Sequence, residues 1–88
     1  MKTVYKYTLP IHDYIKLVLP KGYKPLYIGT QNDNPYLWAL VDPNEQELEE
    51  VIIRCAGTGH SIRDEYSEYL ETAIMMDGDF VLHYFKEE

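Results

Sequence analysis

The stretch that decides the fold is Ser61-Ile62-Arg63-Asp64-Glu65-Tyr66-Ser67-Glu68-Tyr69-Leu70-Glu71-Thr72-Ala73-Ile74-Met75-Met76, followed by Asp77-Gly78 and then Phe80-Val81-Leu82-His83-Tyr84-Phe85. Two periods compete in it. Ile62, Tyr66, Tyr69, Leu70, Ala73 and Ile74 fall at helical spacing, and Ser61 with Asp64 three residues on makes a capping-box pattern. Residues 69–76 also serve as a strand, and Asp77-Gly78 is the strongest two-residue hairpin signal a sequence offers. A hairpin needs both arms, and the second arm reads only as a strand. The expectation is therefore strands over 69–76 and 79–86, with at most one helical turn over 62–67. A helix over 62–75 would instead make the class α+β.

Outward from this segment the dominant period is two. Thr3 to Leu9 alternates, with Tyr5, Tyr7 and Leu9 on one face, and Tyr14 to Leu19 alternates with Ile15, Leu17 and Leu19 inward. Pro10 and Pro20 close these runs, since proline cannot donate to a ladder. Leu26–Thr30 and Tyr36–Val41 read as two strands joined by the turn formers Gln31-Asn32-Asp33-Asn34-Pro35. Glu45 to Glu50 reads as a charged loop, Val51–Cys55 as a β-branched central strand, and Ala56–His60 as a glycine loop. Seven short strands in 88 residues predict a single all-β domain, an antiparallel meander closed into a barrel or a small sandwich.

Charge divides unevenly. Residues 1–41 hold five lysines and two aspartates, whereas residues 42–88 hold three basic and thirteen acidic residues, and the chain carries a net charge of −7. Direct nucleic-acid binding is disfavoured, because phosphate contacts need a basic patch. No run of 18 apolar residues offers a membrane span, and Met1 to Lys6 lacks the apolar core of a secretory leader. The single Cys55 has no intramolecular disulfide partner and reads as a small buried hydrophobe in a reducing cytoplasm. His12, His60 and His83 lie far apart, with no metal-ligand spacing, so neither a metal nor a cofactor is expected.

Three constellations are candidates for function. Gly57-Thr58-Gly59-His60 lets a backbone approach an anion closely. Arg54 and Arg63, the two arginines of the chain, lie three residues before Gly57 and four after Gly59. Arginine suits bidentate phosphate recognition; the plainer alternative is a glycine turn between strands. Trp38 and Tyr36 share one face of a strand, either as a stacking surface for a base or with Trp38 as the chief anchor of the core. Nine tyrosines exceed what so small a core can bury, which points to exposed tyrosines and to a homo-oligomer.

Trp38-Ala39-Leu40-Val41-Asp42-Pro43, Gly57-Thr58-Gly59-His60, Tyr69-Leu70-Glu71-Thr72 and Phe80-Val81-Leu82-His83-Tyr84-Phe85 together resemble a family of small uncharacterised proteins of tailed bacteriophages and prophages. The resemblance implies an accessory protein of the host-cell cytoplasm, acting by stoichiometric binding rather than as an enzyme. Two functions follow as expectations. The first is a host-defence antagonist that sequesters a nucleotide-type signalling ligand with Tyr36, Trp38, Arg54, Gly57, Thr58, Gly59, His60 and Arg63. The alternative is an acidic inhibitor or DNA mimic whose partner is a host nuclease, regulator or defence protein.

Overall fold

A computed structural model describes residues 1–63 and 68–87. Its strands are β1 (Thr3–Thr8), β2 (Tyr14–Pro20), β3 (Lys24–Gln31), β4 (Asn34–Val41), β5 (Leu48–Gly57), β6 (Glu68–Met75) and β7 (Phe80–Glu87). They form a three-stranded sheet of order β1-β4-β3 and a four-stranded sheet of order β2-β5-β7-β6, with antiparallel pairing throughout. The expected all-β fold is therefore present as a sandwich. The two sheets do not close into a barrel. Neighbours in sequence pair only in the hairpins β3–β4 and β6–β7; the β5–β6 connection stays within the four-stranded sheet and skips the place of β7, and the other connections pass from sheet to sheet.

The inward rows make one core. Ile28, Leu37, Ala39 and Val41 from the first sheet meet Ile15, Leu19, Val51, Ile53, Cys55, Ala73, Met75, Leu82 and Tyr84 from the second. Burying each large aliphatic side chain contributes about 1.5–3 kcal/mol, which favours the period-two pattern over any competing one. The contested stretch follows it: residues 68–75 are strand, Ala73 and Met75 are buried, and Ile74 between them is exposed. A bulge between Tyr69 and Glu71 accounts for one part of the helical spacing in the sequence, the pair Leu70 and Ala73. It inserts one residue, so Leu70 and Ala73 both pack toward the core although three residues apart. Residues 61–63 are neither helix nor strand, and the rest of the expected helical turn and capping box, residues 64–67, lies outside the described residues.

Turns and strand ends shift from expectation for local reasons. Asp77-Gly78 marks the right place, but the hairpin closes at Met75 and Phe80, leaving a four-residue turn with positive φ at Met76, Asp77 and Gly78. The β3–β4 turn is shorter than expected: Asn32 and Asp33, both at positive φ, connect Gln31 directly to Asn34. Asparagine and aspartate tolerate that conformation. Glu49 and Glu50 leave the expected charged loop for β5, where they pair with Leu19 and Val18 of β2. Trp38 departs from its expected role as core anchor. It lies on the outer face of β4, because Leu37, Ala39 and Val41 take the inward positions.

Candidate functional site

The outer face of the three-stranded sheet assembles from alternate residues. Tyr36, Trp38 and Leu40 of β4 stand beside Val4 and Lys6 of β1, and Tyr27 of β3 pairs with Trp38. Tyr27 and Trp38 have ring centroids 5.9 Å apart, and Tyr36 and Trp38 have theirs 5.8 Å apart. Lys6 reaches over this row: its Nζ is 4.5 Å from the Tyr36 ring centroid and donates to Gln31 Oε1 at 2.9 Å. The face is exposed at its edge, with Tyr27 at 55% relative accessibility.

Gly29 sets the posture of Tyr27. A β-carbon at residue 29 would overlap Tyr27 Cε2 and lie 2.7 Å from its Oη. The absent side chain lets the phenol ring lie along the sheet instead of standing away from it. The strands of this sheet carry Lys6 and Lys24 and no carboxylate. Aromatic rings and an ammonium thus share the one sheet whose strands lack acid.

Gly57-Thr58-Gly59-His60 forms a turn at the end of β5. The His60 amide donates to the Gly57 carbonyl at 3.1 Å, and Gly59 has φ of 88°. The His60 ring lies against Gly57, where a β-carbon would come within 3.1 Å of Cε1. Gly57, Thr58 and His60 join Asp79, Phe80, Val81 and Leu82 around an open cavity of about 300 Å³. Beside it, Thr58 Oγ1 is 2.8 Å from His83 Nε2, Thr72 Oγ1 is 2.9 Å from His83 Nδ1, and Tyr69 Oη is 2.6 Å from Thr72 Oγ1. The His83 ring is thus fixed between two hydroxyls, one at each nitrogen.

The two arginines do not join the cavity lining. Arg54 lies buried on the outer face of the four-stranded sheet. Its Nε donates to the Asp13 carbonyl at 2.9 Å, its Nη1 is 3.0 Å from Glu87 Oε2, and it lies over the Tyr14 ring at 5.3 Å. Arg63 is exposed. Of the eight expected ligand-binding residues, Gly57, Thr58, Gly59 and His60 are held together in one turn. Tyr36 and Trp38 lie together on the other sheet. Sequence reasoning passed over Lys6, Tyr27 and Gly29; the available signal was a glycine inside a strand, which often marks close approach by another group.

Other groups are set by burial. Burial pushes the Cys55 thiol above its ordinary value, and the buried Tyr84 hydroxyl, opposite Cys55 in the ladder, is raised in the same way. Among the described residues no group of three or more His, Cys, Asp or Glu side chains is placed to hold a metal ion, and no helix is long and apolar enough to cross a membrane.

A family model described as "Domain of unknown function (DUF7352)" matches residues 1–88. No curated protein and no solved structure matches the chain.

Proposed function

We propose, for a chain that belongs along its whole length to the DUF7352 family of unknown function, a binding module that captures a nucleotide-type ligand on the outer face of the three-stranded sheet. The observation that carries this is the row Tyr27–Trp38–Tyr36 with Lys6 above it, on a sheet whose strands lack carboxylates. Stacking on such rings contributes about 1–3 kcal/mol per base. A lysine at the rim supplies a cation for the phosphate in a chain that is otherwise strongly acidic. Capture is stoichiometric and without turnover. In the host cytoplasm, a phage-type accessory protein would use it to withhold a defence signal.

Trp38 is the only tryptophan, so its fluorescence reads the site directly. Titration with mono-, cyclic and ADP-ribose-type nucleotides, followed by calorimetry and Trp38 emission, is expected to give one-to-one binding, weaker for the nucleoside than for its phosphate. Absence of heat with every member of the panel, from protein shown to be folded, would falsify the proposal.

The four-stranded sheet favours a second function. Its strands carry five carboxylates against three cations, which suits a basic protein partner. Pull-down at low and high salt tests it. A partner lost at high salt supports charge-driven docking, because exposed charges are screened, and a salt-insensitive partner speaks against it.

A further inference from the structure

The inward rows of the second sheet end in charge. In β5, Glu49 precedes Val51 and Ile53 on the core side, its position fixed by pairing with the buried Leu19. In β7, Lys86 follows Leu82 and Tyr84 on that side, and Glu68 of β6 stands opposite it. An apolar row that ends in inward charges must open to water, since a charge sealed in a core is costly. The opening is a cavity of about 200 Å³ between the sheets, with Leu37, Val51, Ile53 and Leu70 as its apolar lining and Glu49, Glu68, Lys86 and Tyr23 around it. A second cavity of about 180 Å³ adjoins it, sharing Pro25, Leu37, Glu68 and Leu70.

We propose that this end of the sandwich binds a small primary ammonium compound with a branched apolar body. Size and charge both select that class. An enclosed apolar cavity of roughly 150 Å³ accepts a benzene ring, so the larger cavity takes a five-carbon chain against Leu37, Val51, Ile53 and Leu70. Among the described residues, two carboxylates against one lysine leave a negative surplus, which an ammonium group neutralises through charge-assisted hydrogen bonds and which repels a carboxylate. Glu49 and Glu68 also act on the Tyr23 hydroxyl, whose pKa is raised by burial and then by these two charges, placing all three groups at one mouth.

Calorimetry of the full chain with isopentylamine, isopentanol and isovalerate tests the site. The amine is expected to bind at least about tenfold more tightly than the alcohol, and isovalerate more weakly than either. Replacing both carboxylates, Glu49→Gln with Glu68→Gln, is expected to remove that tenfold preference, and since Glu49 is only half-buried and Glu68 exposed, the near-isosteric amides leave folding intact. Val51→Trp is expected to block all three compounds; should that variant not fold, methyl NMR shifts of Ile53 and Leu70 on adding amine to the native chain give the same location. Equal binding of amine and alcohol, tighter binding of isovalerate, shifts elsewhere, or no binding to the folded protein overturns the proposal.

Discussion

Each sheet carries aromatic rings and a long cation on its outer face, yet the two faces are built to different ends. On the four-stranded sheet, Arg54 is buried, tied to Glu87 and to the Asp13 carbonyl, and laid over Tyr14. Its Nε and Nη1 both donate to groups within the protein. On the three-stranded sheet, Lys6 makes one hydrogen bond to an exposed glutamine and leans over Tyr36, beside two further rings that bury none of the core. The first face is a structural clasp that joins the β1–β2 connection, β5 and β7. The second is an uncommitted surface, and the contrast between a committed and an uncommitted cation is why the proposed ligand is assigned to the three-stranded side.

The contrast is broken most directly at Arg54. Arg54→Ala leaves Glu87 without its counter-charge and the Asp13 carbonyl without its donor. The expected loss is about 3 kcal/mol or more of folding stability, read by urea denaturation. Nucleotide affinity per folded molecule is expected to stay the same. A variant that keeps its stability and loses the nucleotide would show that the arginine serves the ligand after all.

Trp38→Ala makes the opposite cut. Affinity is expected to fall by about 2 kcal/mol, roughly thirtyfold, with a smaller loss of stability, because the side chain lies outside the core. Calorimetry and denaturation of the same sample separate the two effects. A collapse of stability with unchanged affinity would return Trp38 to the role of packing anchor.

These two positions also mark how far the sequence was legible. The strands were visible because alternation survives in almost every run, and the final hairpin fixed the class once its second arm admitted no helix. The site was harder to see, because proximity in sequence is not proximity on a strand. Arg54 and Gly57 are three residues apart in β5, so their side directions oppose each other. The arginine that brackets the glycine turn in sequence therefore turns toward Glu87. Trp38 misled for the opposite reason: a large aromatic in an apolar strand suggests core, but the smaller Leu37, Ala39 and Val41 hold the inward phase. Lys6 joins Tyr36 only through the β1–β4 register, a long-range pairing that local sequence does not state.

Alkaline titration probes the inward face of the four-stranded sheet. Cys55 and Tyr84 stand opposite each other between β5 and β7, and burial raises both folded-state pKa values above the ordinary 9.0 and 10.0. The unfolded chain releases these protons at the ordinary values while the folded core keeps them. Stability from this source is therefore complete below pH 9 and is lost as pH rises above it, by up to about 1.4 kcal/mol per pH unit for each group. Tyr84→Phe is expected to flatten the upper part of that slope. An unchanged slope would place the alkaline sensitivity elsewhere, with Tyr23 and Tyr7, also raised by burial, as the next groups to replace.

Gly29→Ala is gentler and more diagnostic. The added methyl meets the end of the Tyr27 side chain, which swings out, so stability is expected to change by less than about 1 kcal/mol. Loss of one stacked ring is expected to cost about 1 kcal/mol of affinity, roughly fivefold. Tyr27→Ala with Gly29→Ala should then cost no more affinity than either change alone, since both remove the same surface. Additive losses would mean that Gly29 supports the ligand by some route other than Tyr27.

The smallest effect compares two lysines, one on each sheet. Lys16 lies 3.3 Å from Glu50 with both side chains more than half exposed, and such pairs contribute about 0.2–1 kcal/mol. Lys6 over Tyr36 contributes a similar amount through its cation–π contact, about 0.5–1 kcal/mol. Lys16→Met and Lys6→Met are thus expected to look alike in a denaturation curve. Their ligand behaviour should differ. Lys6→Met is expected to weaken nucleotide binding a few-fold and to lower its sensitivity to salt, because a phosphate contact has gone, whereas Lys16→Met changes neither. Two exposed ammonium groups of equal structural weight then differ only in what stands beside them, a carboxylate in one case and an aromatic row in the other. If both variants shift affinity and salt slope equally, the ligand senses only the overall charge of the chain, and the distinction between the two faces fails.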